Sequence, residues 1–122
     1  MSKAYLTRSE ILEAKDIKTE DVEVPEWNGT VCVKAMNGTE RDDFEASMLD
    51  NKHNVSTDLM HNLRAKLVAK TVVDPETMET LFTVADIETL GKKSAAALDR
   101  IFTVAQRLSK ITESDVKDLT KN

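Results

Sequence analysis

The side chains best suited to covalent or metal chemistry are few: one cysteine, Cys32, and two histidines, His53 and His61, in 122 residues. A tetrahedral zinc site takes about four nitrogen or sulfur ligands at compact spacings. Here there is no second cysteine and no His-x-x-x-His pair, so no metal site is expected. Cys32 stands between two valines, a setting in which a thiol serves as a small apolar filler. Its separation from both histidines offers no local nucleophile–base pair. Carboxylates abound, but abundance singles out no acid–base couple. No catalytic residue and no cofactor site is nominated.

Two further patterns look like sites and have simpler explanations. Gly91-Lys92-Lys93-Ser94 resembles the end of a phosphate-binding loop. The first glycine of that motif would have to stand at Asp86, and an extra lysine separates the first lysine from the serine. A helix C-cap followed by an N-cap accounts for the same residues. Asn28-Gly29-Thr30, Asn37-Gly38-Thr39 and Asn54-Val55-Ser56 fit the glycosylation triplet. With no apolar stretch of a signal peptide at the N-terminus, all three are expected to be chance matches, and the two glycine-containing triplets are read as turns, with Thr30 starting a strand and Thr39 capping a helix.

The elements that carry these residues follow from periodicity. Thr7-x-x-Glu10 has the capping-box spacing, and a short helix is expected after it. Its Ile11, Leu12 and Ala14 fall on one side, which should lie against something. Val22 and Val24, then Val31, Val33 and Ala35, alternate with polar residues as strands do, with Pro25-Glu26-Trp27-Asn28-Gly29 as the hairpin connection. A helix should run from Thr39 to about Leu49, followed by an exposed loop over residues 50–54. The next apolar run predicts a helix to about Lys66, a strand over Thr71-Val72-Val73, a turn at Asp74-Pro75-Glu76-Thr77 and a short partner strand at Leu81-Phe82.

The last third has the sharpest signals. Thr83 caps a helix to Leu90, Gly91 supplies a left-handed C-terminal residue, and Ser94 caps a longer helix. Leu98, Ile101, Phe102, Ala105 and Leu108 form a continuous stripe along that helix. Thr112-Glu113-Ser114-Asp115 repeats the cap pattern and predicts a short terminal helix through Val116 and Leu119. The chain is therefore read as one α+β domain, with an N-terminal β-hairpin or small antiparallel sheet packed with several short helices. Residues 1–83 form the mixed part, 84–111 the helical part with its amphipathic helices, and 112–122 a terminal helix or tail.

Composition narrows the function classes. The chain is 40% hydrophobic and 32% charged, with a net charge of −5, which opposes general attraction to nucleic acid or anionic lipid. No apolar run approaches the roughly 18 residues of a transmembrane helix, and the N-terminus lacks the apolar stretch of a signal peptide, so a cytosolic protein is expected. The charge is uneven: residues 1–50 carry 6 basic and 12 acidic side chains, and residues 84–111 carry 5 and 3. An acidic front and a basic rear would favour head-to-tail self-association.

Three binding readings follow. A helix, the Gly91 turn and a second helix resemble a helix-turn-helix, but the second helix opens Ser94-Ala95-Ala96-Ala97, which offers base edges only methyl groups. Small residues there suit helix packing. Trp27, the sole tryptophan, is either an exposed binding anchor at the hairpin tip or a cover folded over the core. The stripe Leu98, Ile101, Phe102, Ala105 and Leu108 is either ordinary core or a partner groove. These six residues are the candidate partner or self-association surface.

Two blocks carry a family resemblance. Val22-Glu23-Val24-Pro25-Glu26-Trp27-Asn28-Gly29-Thr30-Val31, followed by Met36-Asn37-Gly38-Thr39-Glu40-Arg41-Asp42-Asp43-Phe44-Glu45, resembles the N-terminal half of tail assembly chaperones of long-tailed bacteriophages and prophages. Leu81-Phe82-Thr83, Asp86 to Gly91, Lys93 to Phe102 and Val104 to Ser109 are similar to the C-terminal half. The resemblance implies a protein of the host bacterial cytoplasm that is absent from the mature virion and binds the tape measure protein. That partner is very long, helical and apolar, and must stay soluble until major tail protein polymerises around it. The resemblance also implies a longer frameshifted form that reaches the major tail protein, a homo-oligomer, and neither cofactor, nucleic acid nor membrane. The runner-up is a DNA-binding or regulatory phage protein built on the helix pair around Gly91.

Overall fold

The computed structural model describes residues 5–49, 52 and 62–109. In chain order the elements are α1 (Arg8–Glu13), β1 (Thr19–Val24), a 3-10 turn (Pro25–Trp27), β2 (Gly29–Lys34), α2 (Gly38–Ala46), α3 (Leu63–Thr71), β3 (Val72–Val73), a second 3-10 turn (Val84–Asp86), α4 (Ile87–Gly91) and α5 (Ala95–Leu108). This is an α+β fold. The sheet is antiparallel in the order β1-β2-β3, with Val22 opposite Val31 and Cys32 opposite Val73. Asn28 closes the hairpin in the left-handed region at φ 54°, a conformation asparagine tolerates and β-branched residues do not.

The core forms where α3 and α5 pack against each other and α5 crosses β1 and β2. Val24, Val33, Leu67, Val68 and Ile101 are fully buried there, with Phe44 and Met48 brought in by α2 and the turn after it. Ser109 fastens the far end of α5 to the sheet, its hydroxyl accepting the Met36 backbone N–H at 2.9 Å. The acidic hairpin and the basic last helix also meet within one chain. Arg100 donates to both carboxylate oxygens of Glu26 at 3.0 and 3.2 Å, and Arg107 donates to Glu20 at 2.6 Å. Two turns of α5 thus place cations seven residues apart against anions near the two ends of β1. Part of the charge polarity seen along the sequence is spent inside the fold.

Several local expectations change. Asn37, not Thr39, caps α2: its side chain accepts the Glu40 N–H at 2.8 Å, and the Glu40 carboxylate accepts the Asn37 N–H at 3.0 Å. Asn37-Gly38 is therefore a helix entry, and no glycine in the described residues has positive φ. Helix α3 runs on to Thr71, past the expected end at Lys66, because Leu67, Val68, Ala69 and Thr71 are all buried there. Packing overrides the strand preference of the β-branched residues, and β3 keeps only Val72 and Val73. Its outer neighbour is a single bridge at Thr80 rather than a Leu81-Phe82 strand.

Gly91 ends α4 without a left-handed turn, and the following Lys92 has φ −90°. The reason for glycine lies across the fold. A Cβ at position 91 would collide with the side chain of Asn62, whose Cγ would be 2.9 Å away. Helix α1 has the expected Thr7–Glu10 capping box, yet none of its residues is buried. The expected loop over 50–54, apart from Lys52, and the helix after Thr112 lie outside the described residues.

Candidate functional site

An apolar groove of about 520 Å³ lies between α2, α3 and the segment leading into α4. Its walls arise from local sequence. The Thr83–Asp86 capping box turns the chain sharply, with the Asp86 carboxylate accepting the Thr83 N–H at 2.9 Å. That turn leaves Val84 84% exposed on the rim, while Phe82 and Ile87 lean on the core. Ala69 of α3 is buried beside them, and its small side chain keeps the floor low.

The rim is polar and carries both signs. Lys66 and Lys70 come from α3, and Glu40 and Asp43 from α2. Burial pushes the Lys66 amine below the usual lysine range. Glu40 has two tasks: besides capping α2 it meets Lys34 of β2, whose amine donates to its two oxygens at 2.5 and 2.6 Å. Lys34 is buried, so this carboxylate supplies the counter-charge that a desolvated ammonium needs. Burial alone would raise the Glu40 carboxyl. The Lys34 hydrogen bonds and the Asn37 amide outweigh it and hold the group below the usual carboxylate range.

A second apolar surface lies at the chain's beginning. Tyr5, Leu6, Ile11 and Leu12 are 85%, 70%, 57% and 65% exposed. Apolar side chains grouped in this way mark contact surfaces more often than single exposed residues do. On α1 the spacing i, i+3, i+4 puts Arg8, Ile11 and Leu12 on one face.

The six residues nominated from sequence lie elsewhere. Leu98, Ile101 and Ala105 are buried in the core. Trp27, Phe102 and Leu108 are half-buried and pack against it, and the Arg64 guanidinium stands 5.7 Å from the Phe102 ring centre. The stripe faces inward as a hydrophobic spine, and its most buried members have no surface to offer a partner. The groove and arm residues Ala69, Phe82, Val84, Ile87, Leu6 and Leu12 were not nominated. The pair Val84 and Ile87, three apart behind a cap, was the available signal.

The helix pair around Gly91 exposes Ala95, Ala96, Asp99 and Arg100 at the start of α5. Asp99 is paired with Arg64 and Arg100 with Glu26, so these two charged groups are already engaged. Cys32 is buried, with its thiol pushed up first by that burial and then by Asp21. His53 and His61 lie outside the described residues. Among the described residues no three His, Cys, Asp or Glu side chains are grouped to hold a metal, and no helix is long and apolar enough to cross a membrane.

Comparison with known proteins gives two findings. The family model described as phage tail assembly chaperone matches residues 7–122. The solved structure of the bacteriophage HK97 tail assembly chaperone superposes with a TM-score of 0.58 at 17% identity, covering 82% of this chain and 94% of that one. The likeness is one of fold. No curated protein matches the chain.

Proposed function

The chain belongs to the phage tail assembly chaperone family, and from that premise we propose that it binds the tape measure protein and keeps that long apolar helical chain soluble. It works in the host bacterial cytoplasm, outside the mature virion, and makes or breaks no covalent bond. Many copies, associated with one another, coat the partner until major tail protein is recruited through a longer frameshifted form. The observation that carries this reading is the exposed apolar surface. Tyr5, Leu6, Leu12, Leu81 and Val84 are all more than half exposed although the core is closed without them. Such surface costs solubility unless something covers it, and weak contacts repeated along a linear partner gain through effective concentration.

Coexpression tests the reading. The tape measure protein should move from the pellet to the soluble fraction in proportion to the chaperone supplied. Unchanged solubility at saturating chaperone rejects the proposal.

A further inference from the structure

The apolar arm and the apolar groove are each open within a single chain. Helix α1 has no buried residue, and no arm residue lines the groove. They also connect to opposite edges of the sheet. The arm leads through Ala14 to Lys18 into β1, the strand at one edge, whereas the groove is bounded by the chain that leaves the Thr80 bridge beyond β3 at the other. Three strand spacings separate those edges, about 14 Å.

The chemistry of the two surfaces is complementary. A helix of six residues is far too short to persist by its own propensity, and the Thr7–Glu10 box holds its first turn without burying anything. Its contact face offers Ile11 and Leu12 with the cation of Arg8 between them. The groove offers Ala69, Phe82, Val84 and Ile87, with Asp43 on the α2 side of its rim and Lys66 and Lys70 on the α3 side. Neither the Arg8 nor the Asp43 side chain has an ion pair among the described residues.

We propose that α1 of one copy lies in the groove between α2, α3 and Phe82 of the next, with Ile11 and Leu12 against Val84 and Ile87, and Arg8 beside Asp43. Because donor and acceptor surfaces share no residue, each docked copy still presents its own open groove. The contact is heterologous and propagates head to tail. This inference rests on the self-associating coat proposed above and identifies the joint that would build it.

Sedimentation velocity of the full-length chain decides the matter, because broken halves can be mixed. Wild type should form concentration-dependent oligomers. Ile11→Asp destroys the arm and Val84→Asp the groove, and each alone should weaken association by about tenfold or more, since a carboxylate would enter an apolar contact. Both sites are largely exposed, so far-UV circular dichroism and the melting temperature should stay at the wild-type values. Mixed together, the two variants retain one intact joint between them and should stop at a heterodimer. Arg8→Glu should weaken assembly, and adding Asp43→Arg in the same chain should restore it.

Variants that assemble as wild type does, a mixture that stays monomeric, or a wild type that is monomeric at every concentration would each overturn the joint. Tape measure solubility, measured in parallel with wild type, separates this failure from failure of the coat itself. A soluble partner alongside unaffected variants places the joint elsewhere, whereas an insoluble partner removes the coat.

Discussion

Gly91 and Asn62 meet so closely that a methyl group on the glycine would lie 2.9 Å from the Asn62 side-chain Cγ. Asn62 enters α3 in the left-handed region at φ 62°, and Gly91 closes α4, so the pair fixes how these two helices abut. What marks this position for glycine is the close approach of the Asn62 side chain and not an unusual backbone angle.

Gly91→Ala should therefore destabilise the fold by about 1 kcal/mol, the overpacking penalty being partly offset by the better helix propensity of alanine. Asn62→Gly removes the obstructing amide and suits the positive φ at that position. In chemical denaturation the double variant should recover most of the loss. A stabilised Gly91→Ala single variant would mean that the Asn62 side chain swings aside at no cost.

Truncation in the stripe and on the arm should separate by size. Ile101 is fully buried, so Ile101→Ala should cost about 2–5 kcal/mol. Ile11 is 57% exposed on a helix that buries nothing, and Ile11→Ala should change monomer stability by no more than about 0.5 kcal/mol. Urea unfolding at low protein concentration compares the two directly, and equal losses would contradict these assignments.

That contrast shows what a sequence reveals of this fold. The Thr7–Glu10 and Thr83–Asp86 boxes, the Ser94 cap and the hairpin were legible, because each depends on residues a few positions apart. The stripe from Leu98 to Leu108 was legible as a stripe, but a core face and a docking face share one periodicity. Only the position of β1, β2 and α3 against α5 tells them apart. Ile11 and Leu12 failed in the opposite sense, since an amphipathic pattern does not reveal whether the chain itself supplies the cover. The role of Gly91 was illegible for a related reason: the atom that excludes a Cβ belongs to a residue 29 positions away.

Acid should weaken the link between β2 and α2. The folded Glu40 carboxyl lies below its ordinary value of 4.5, so its stabilisation is complete above that pH and is lost as the pH falls through the lower folded value. Glu40→Gln preserves a side chain able to cap α2 but removes the charge facing Lys34. Wild type should melt above the variant by a constant margin at pH 5–7, and the margin should shrink below about pH 4.5. A margin unchanged down to about pH 3 would show that the Lys34 contact does not depend on ionised Glu40.

The Arg107–Glu20 pair should contribute little. Both side chains are substantially exposed, 57% and 40%, and they lie within a Debye length of bulk salt. A double-mutant cycle with Arg107→Ala and Glu20→Ala should give a coupling below about 1 kcal/mol that falls further on adding salt. A larger, salt-insensitive coupling would require the pair to be shielded from solvent.

The coat itself is tested most directly by stoichiometry. Light scattering coupled to size exclusion gives the mass of complexes formed with tape measure fragments of one length and of twice that length. A coat predicts that the number of bound chaperone copies doubles with the fragment. A copy number independent of length, or no complex at all, would contradict it.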